Sequence, residues 1–114
     1  MSKRVLPALT HLQYLVLGVL RSDEQPGRVL RQALASYGVR RSGPAFYQLM
    51  ARIERAGLVE GWYEQVTVGD QAVTERRYRL RPSGAKLWTE TCDFYSTLIA
   101  GTDAAKLRKG WSDA

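Results

Sequence analysis

A chain of 114 residues carries a formal net charge of +6, with 45% hydrophobic and 25% charged residues. That size suits one compact domain with at most an appended helix, and the composition argues against general disorder while favouring polyanionic partners. One cysteine, Cys92, and one histidine exclude an internal disulfide and supply too few groups for a metal centre or a catalytic triad, so neither a cofactor nor an enzyme is expected.

The apolar run from Leu12 to Leu20 is interrupted by Gln13 and Tyr14. It falls short of the roughly 20 residues of a membrane span and lacks a signal-cleavage pattern, so the expected location is cytoplasmic. Leu12, Leu15, Val16, Val19 and Leu20 recur at three- and four-residue spacing, which predicts a first helix with Thr10 as its N-cap. A turn from Ser22 to Gly27 follows. Val29, Leu30, Ala33, Leu34 and Tyr37 then form a second amphipathic stripe that Gly38 ends.

A third helix is predicted in "SGPAFYQLMARIERAG", capped by Ser42, with Pro44 in its first turn and Gly57 at its end. Phe46, Leu49, Met50 and Ile53 make its apolar face. The other side carries Ala45, Tyr47, Gln48, Arg52 and Arg55, types that reach base edges and phosphates from a major groove but that also suit a plain solvated face. From Pro26 to Gly57 six arginines face one acid, Glu54. The positive charge is therefore local.

The segment "LVEGWYEQVTVGDQAVTERRYRLR" is rich in β-branched and aromatic residues around Gly69-Asp70 and reads as a hairpin. A two-residue loop would set Glu64 against Glu75, whereas the three-residue loop Gly69-Asp70-Gln71 sets Glu64 against Arg76 and Trp62 against Tyr78. The latter register is expected, because like charges facing each other oppose strand pairing. It places Trp62, Tyr78 and Leu80 on one face, and Arg77, Arg79 and Arg81 with Tyr63 and Val73 on the other. Those arginines suit either phosphate contacts or pairing with Glu60, Glu64 and Glu75.

Pro82 opens a last helix predicted to run to about residue 108. Trp88, Thr91, Tyr95, Leu98, Thr102 and Ala105 follow helix-seam spacing, flanked by Leu87, Cys92, Phe94 and Ile99. Such a helix extends about 40 Å, beyond what a core this small can cover, so its stripe (Trp88, Thr91, Tyr95, Leu98 and Thr102) is expected to pair with a second copy of the chain. Trp88, Phe94 and Tyr95 are also the expected place for a flat aromatic effector.

Three helices followed by a hairpin is the order of a winged helix, in which the third helix enters the major groove and the wing contacts the backbone. The expected fold class is mainly α with a small β-hairpin: a winged helix-turn-helix over residues 1–81, a C-terminal dimerisation helix over 82–109 and a disordered tail over 110–114. The sequence also resembles the PadR-like transcriptional regulators across roughly residues 9 to 100. "LTHLQYLVLGVL", "SGPAFYQLMARIERAGLVEGWYE" and "RRYRLRPSG" carry the resemblance. It departs from the family pattern where Arg28 replaces a tyrosine after Gly27 and Arg81 replaces a threonine before Pro82. Its wing tip, Val66 to Thr74, holds no Lys or Arg.

The resemblance implies a dimeric, sequence-specific DNA-binding repressor that a small aromatic or hydrophobic molecule, or another signal, releases from double-stranded DNA. The expected DNA-binding residues are Tyr47, Gln48 and Arg52 in the groove, Ser42 at a phosphate, and Arg40, Arg41, Arg76 and Arg77 on the backbone. The alternative is a winged-helix protein-interaction or ligand-sensing module that does not read DNA, favoured by the acidic wing tip and by Arg28.

Overall fold

The computed structural model describes residues 5–101. Its first helix, α1 (His11–Leu20), starts at a reciprocal cap: the Thr10 hydroxyl accepts from the Gln13 N–H at 3.1 Å, and the Thr10 N–H donates to the Gln13 side chain at 3.0 Å. It buries Val16, Leu17 and Leu20. Leu17, outside the stripe read from the sequence, is also part of the core.

The segment read as a turn contains a two-residue strand, β1 (Gln25–Pro26). The Gln25 amide donates to the Val19 carbonyl at 3.0 Å, which ties β1 to the end of α1. Helix α2 (Gly27–Ser36) buries Leu30 and Leu34, while Tyr37 falls at its C-cap and points outward, 67% exposed. Helix α3 (Gly43–Arg55) has the Ser42 cap and early proline read from the sequence and buries Phe46, Met50 and Ile53. Gly38 and Gly57 follow α2 and α3 with φ of 84° and 77°, the left-handed conformation that turns the chain after a helix.

Strands β2 (Val59–Val68) and β3 (Gln71–Leu80) form the hairpin, and β1 pairs with the other edge of β3, so the sheet order is β1-β3-β2. Here the structure corrects the expected register. Val68 pairs with Gln71 across a two-residue loop, which sets Glu64 opposite Glu75, Tyr63 opposite Arg76 and Trp62 opposite Arg77. Gly69, with φ of 63°, supplies the positive angle that a two-residue turn matching the strand twist needs. The like charges are tolerated because the Arg77 guanidinium lies between them, 2.8 Å from Glu75 and 3.2 Å from Glu64. Trp62 consequently joins the face of Arg77 and Arg79, and Tyr63 joins that of Tyr78.

Tyr78 is the largest fully buried side chain, packed edge-on against Phe46 with ring centroids 6.4 Å apart. Around it Val16, Leu17, Leu20, Leu30, Leu34, Met50, Ile53 and Val59 close a single core. Burying each such side chain contributes about 1.5–3 kcal/mol, so the three helices and the root of the wing form one body.

Helix α4 (Pro82–Gly101) leaves the sheet at a tight junction. The Arg81 N–H and the Ser83 hydroxyl donate to the Leu58 and Gly57 carbonyls. A Cβ on Gly84 would collide with the Leu58 carbonyl oxygen. Only glycine fits there, because the opposing atom is backbone and cannot move aside. Farther along, Trp88 and Thr91 turn inward: Trp88 packs on Tyr14 at 5.8 Å between centroids, and Thr91 is 2% exposed. Beyond them Tyr95, Leu98 and Ile99 are 42%, 45% and 61% exposed. Thr102, Ala105 and the expected tail over 110–114 lie outside the described residues.

Replacing Gly84 by alanine is expected to destabilise the domain by about 1–3 kcal/mol, read as a lower midpoint in thermal or urea denaturation. An unchanged midpoint would show that the junction has room to spare.

Candidate nucleic-acid interface

The site is built from α3 and the loop before it. Positions 45, 48 and 52 share one side of α3, so Ala45, Gln48 and Arg52, with Arg41 of the preceding loop, line a cleft of about 330 Å³ whose other wall is Thr10, Leu12 and Gln13 at the start of α1. Gln48 and Arg52 are exposed, as are Arg40, Arg41 and Ser42. Tyr47 lies on the neighbouring flank, 45% exposed, with its ring edge-on to Phe46 at 5.1 Å. Arg52 and Arg55 occupy the last turn of α3, where positive charge is favoured by the helix dipole.

The amino end of α3 offers a phosphate less than the sequence suggests. Pro44 has no N–H, and the Ala45 N–H is taken by the Ser42 hydroxyl at 3.3 Å. Positive charge near this end comes instead from arginines. Arg31, on α2, donates from its Nε to the Arg41 carbonyl at 2.9 Å and so braces the loop. The sequence reading did not single out Arg28 or Arg31 as site residues, although their spacing of three on one helix places them on one face.

The β3 arginines are placed differently. Arg76 bonds to Glu54 of α3 at 2.7 Å and lies over the ring of Tyr63 at 4.6 Å. The position facing Tyr78 across the hairpin is Gly61, and a side chain there would strike this ion pair. Arg77 is drawn among three carboxylates: Glu75, Glu64 and, at 3.7 Å, Glu24. Arg79 pairs with Glu60 at 2.9 Å and lies over Trp62 at 5.2 Å. Among the described residues no ion pair engages Arg31, Arg40, Arg41, Arg52 or Arg55. The arrangement therefore has two kinds of arginine, one neutralised within the fold and one without an ion pair among the described residues.

No protein-family model matches the sequence, and no curated protein matches it significantly. Solved structures do match. A PadR-like transcription factor from Bacteroides fragilis aligns with a TM-score of 0.64 at 18% identity, over 82% of this chain and 88% of that one. A PadR family transcriptional regulator from Eggerthella lenta aligns with a TM-score of 0.57 at 29% identity, over 82% and 78%.

The chain has a PadR-like winged-helix fold.

Bacillus subtilis PadR, crystallised in complex with operator DNA, aligns with a TM-score of 0.56 at 19% identity, over 75% of this chain and 47% of that one. In the winged-helix frame α3 is the recognition helix and the β2–β3 hairpin is the wing. The outer part of the wing exposes Tyr63, Val68 and Val73 and carries Asp70 at the turn.

A second concavity of about 520 Å³ lies between α1, α2 and α4, lined by Tyr14, Arg21, Tyr37 and Trp88 among others. The Arg21 guanidinium lies 5.3 Å over the Trp88 ring. Burial, and then the neighbouring Cys92 thiol, raise the pKa of the Tyr14 phenol above its usual value. Of the residues expected to hold an effector, Trp88 is in this groove, whereas Phe94 and Tyr95 are not in its lining and pack edge-on against each other at 5.4 Å.

Tyr78 provides a check on the core beneath the site. Burial pushes its phenol up to about 12, against the opposing pull of Arg76. Below pH 10 the phenol is protonated in both folded and unfolded chains. Between pH 10 and about 12 only the unfolded chain gives up the proton, so stability is expected to fall across that window by about 3 kcal/mol or less. Urea denaturation at stepped pH should show this loss, and Tyr78→Phe should remove it; an identical alkaline slope in both proteins would contradict the assignment.

Proposed function

We propose that the chain is a sequence-specific, dimeric DNA-binding transcriptional regulator acting as a repressor. One observation carries the reading: arginines and an amide without acidic partners are gathered along the recognition helix and the loop that leads into it. Gln48 and Arg52 enter the major groove, Tyr47 flanks it, and Arg40 and Arg41 contact the backbone beside Ser42. Operator DNA bound to Bacillus subtilis PadR supports the choice of duplex DNA over other polyanions. Arg76 and Arg77, expected from the sequence to contact the backbone, act through the wing: Arg76 ties it to Glu54 of α3, and Arg77 ties β3 to Glu64 of β2 and to Glu24.

The second copy pairs along the outer half of α4. Trp88 and Thr91 are used within the chain, so the self-association surface begins at Tyr95 and continues through Leu98 and Ile99. A repressor of this build is released when a signal shifts α4 against α1. The groove beside Trp88 suits a small aromatic or hydrophobic effector for that step, since its walls are aromatic and cationic. The neutralised β3 arginines and the apolar wing favour a second reading, a winged-helix module that docks on protein.

Arg52→Ala is expected to weaken operator binding by about 1–3 kcal/mol in a titration at fixed salt, without a change in thermal stability. Binding equal to wild type would remove Arg52 from the interface, and absence of any duplex binding by the wild-type chain would favour the protein-docking reading. Replacing Tyr95 and Ile99 together by aspartate is expected to shift sedimentation from dimer to monomer while the helical circular dichroism persists. A wild-type monomer at micromolar concentration would refute the pairing.

A further inference from the structure

We infer that the cleft walled by Arg28, Arg31, Arg40 and Arg41 is a second anion site, which holds backbone phosphates of the duplex beyond the stretch read by α3. The inference rests on the DNA-binding reading and extends its footprint onto α2. The cleft measures about 330 Å³, and its remaining walls are Gln32 and Ala35. No carboxylate among the described residues lines it. Four guanidinium groups around one concavity repel one another, and an anion seated among them removes that cost and accepts charge-assisted hydrogen bonds. Among the described residues only Arg28 has an acid within reach, Glu75 at 3.6 Å, and the Arg28 side chain is 67% exposed, so solvent screens the pair.

The geometry is braced in advance. The bond from Arg31 Nε to the Arg41 carbonyl fixes the guanidinium plane and spends one of its five N–H groups. Its Nη1 stands at the start of α3, 3.8 Å from where a Cβ on Gly43 would lie. It therefore supplies donors where Pro44 and the Ser42 cap leave the helix end short of them. A phosphodiester is favoured over an unconnected anion by continuity: Arg41 also walls the cleft of Gln48 and Arg52, so the two concavities meet at that residue. A strand leaving the groove at Gln48 passes Arg41 before reaching Arg31 and Arg28.

The test is the salt dependence of binding to a random-sequence duplex two helical turns long, followed by fluorescence anisotropy between 50 and 200 mM salt. Wild type is compared with Arg28→Ala/Arg31→Ala and with Arg28→Lys/Arg31→Lys, each checked by thermal melting. The alanine pair is expected to make the log–log slope shallower by about 2, so its loss of affinity is about tenfold greater at the low-salt end. The lysine pair restores the slope, since phosphate contact needs the charge while the brace to Arg41 needs the guanidinium. Should the alanine pair fail to fold, Arg28→Ala alone is expected to reduce the slope by about 1.

An unchanged slope in the alanine pair, with wild type still binding, overturns this site and leaves the α3 reading standing. A slope that lysine does not restore assigns Arg31 to bracing alone and also overturns it. Wild type without salt-dependent binding overturns the DNA reading itself. Polyglutamate captured by wild type and lost by the alanine pair, with no change in duplex slope, would assign the cleft to an acidic protein and refute the proposal.

Discussion

The ion pair between Arg76 and Glu54 joins the two halves of this molecule. Glu54 is on the recognition helix, Arg76 on the middle strand of the sheet, and the pair fits because Gly61 leaves space beneath it and Tyr63 covers the guanidinium. Two residues along the same strand, Tyr78 fills the centre of the core against Phe46. Strand β3 therefore fixes the wing, the recognition helix and the core in one frame. A partly buried pair of this kind matters less for net stability than for geometry, since its desolvation offsets much of the attraction. What it specifies is the angle between hairpin and helix.

The same logic divides the positive charge. Arg76, Arg77 and Arg79 lie on the sheet, where Glu54, Glu75, Glu64, Glu24 and Glu60 are brought to them from four parts of the chain. Arg28, Arg31, Arg40, Arg41 and Arg52 lie on α2, its following loop and α3, where the sequence supplies almost no acid. The net charge of +6 thus understates the local field on the helical side and overstates it on the wing. Steering of a polyanion follows from local charge and not from the total, so the helical side is the one we propose for a duplex.

Much of this was legible in the sequence because local chemistry decides it. Thr10, Ser42, Gly38 and Gly57 mark helix ends through groups within a few residues of themselves, and Phe46, Met50 and Ile53 follow the helical period. The order of elements then gave the winged helix. The expected hairpin register fails because it rests on directly facing pairs, whereas Arg77 bridges Glu64 and Glu75 from a diagonal position. Strand β1 was hidden because its two residues are extended only through pairing with β3. The stripe of α4 divides for a related reason: its first half, with Trp88 on Tyr14, serves the chain's own α1, and its second half faces outward. Arg28 and Arg31 became site candidates only when folding set them beside Arg40 and Arg41.

The central claim is that two populations of arginine coexist, one holding the wing in place and one left for phosphate. Assigned NMR spectra of the arginine side-chain Nε–Hε groups, recorded as duplex is added, separate them directly. Arg31, Arg41 and Arg52 are expected to shift with duplex concentration, while Arg76 and Arg77 keep their free-state positions. Shifts confined to Arg76 and Arg77 would place the DNA on the wing and contradict the account.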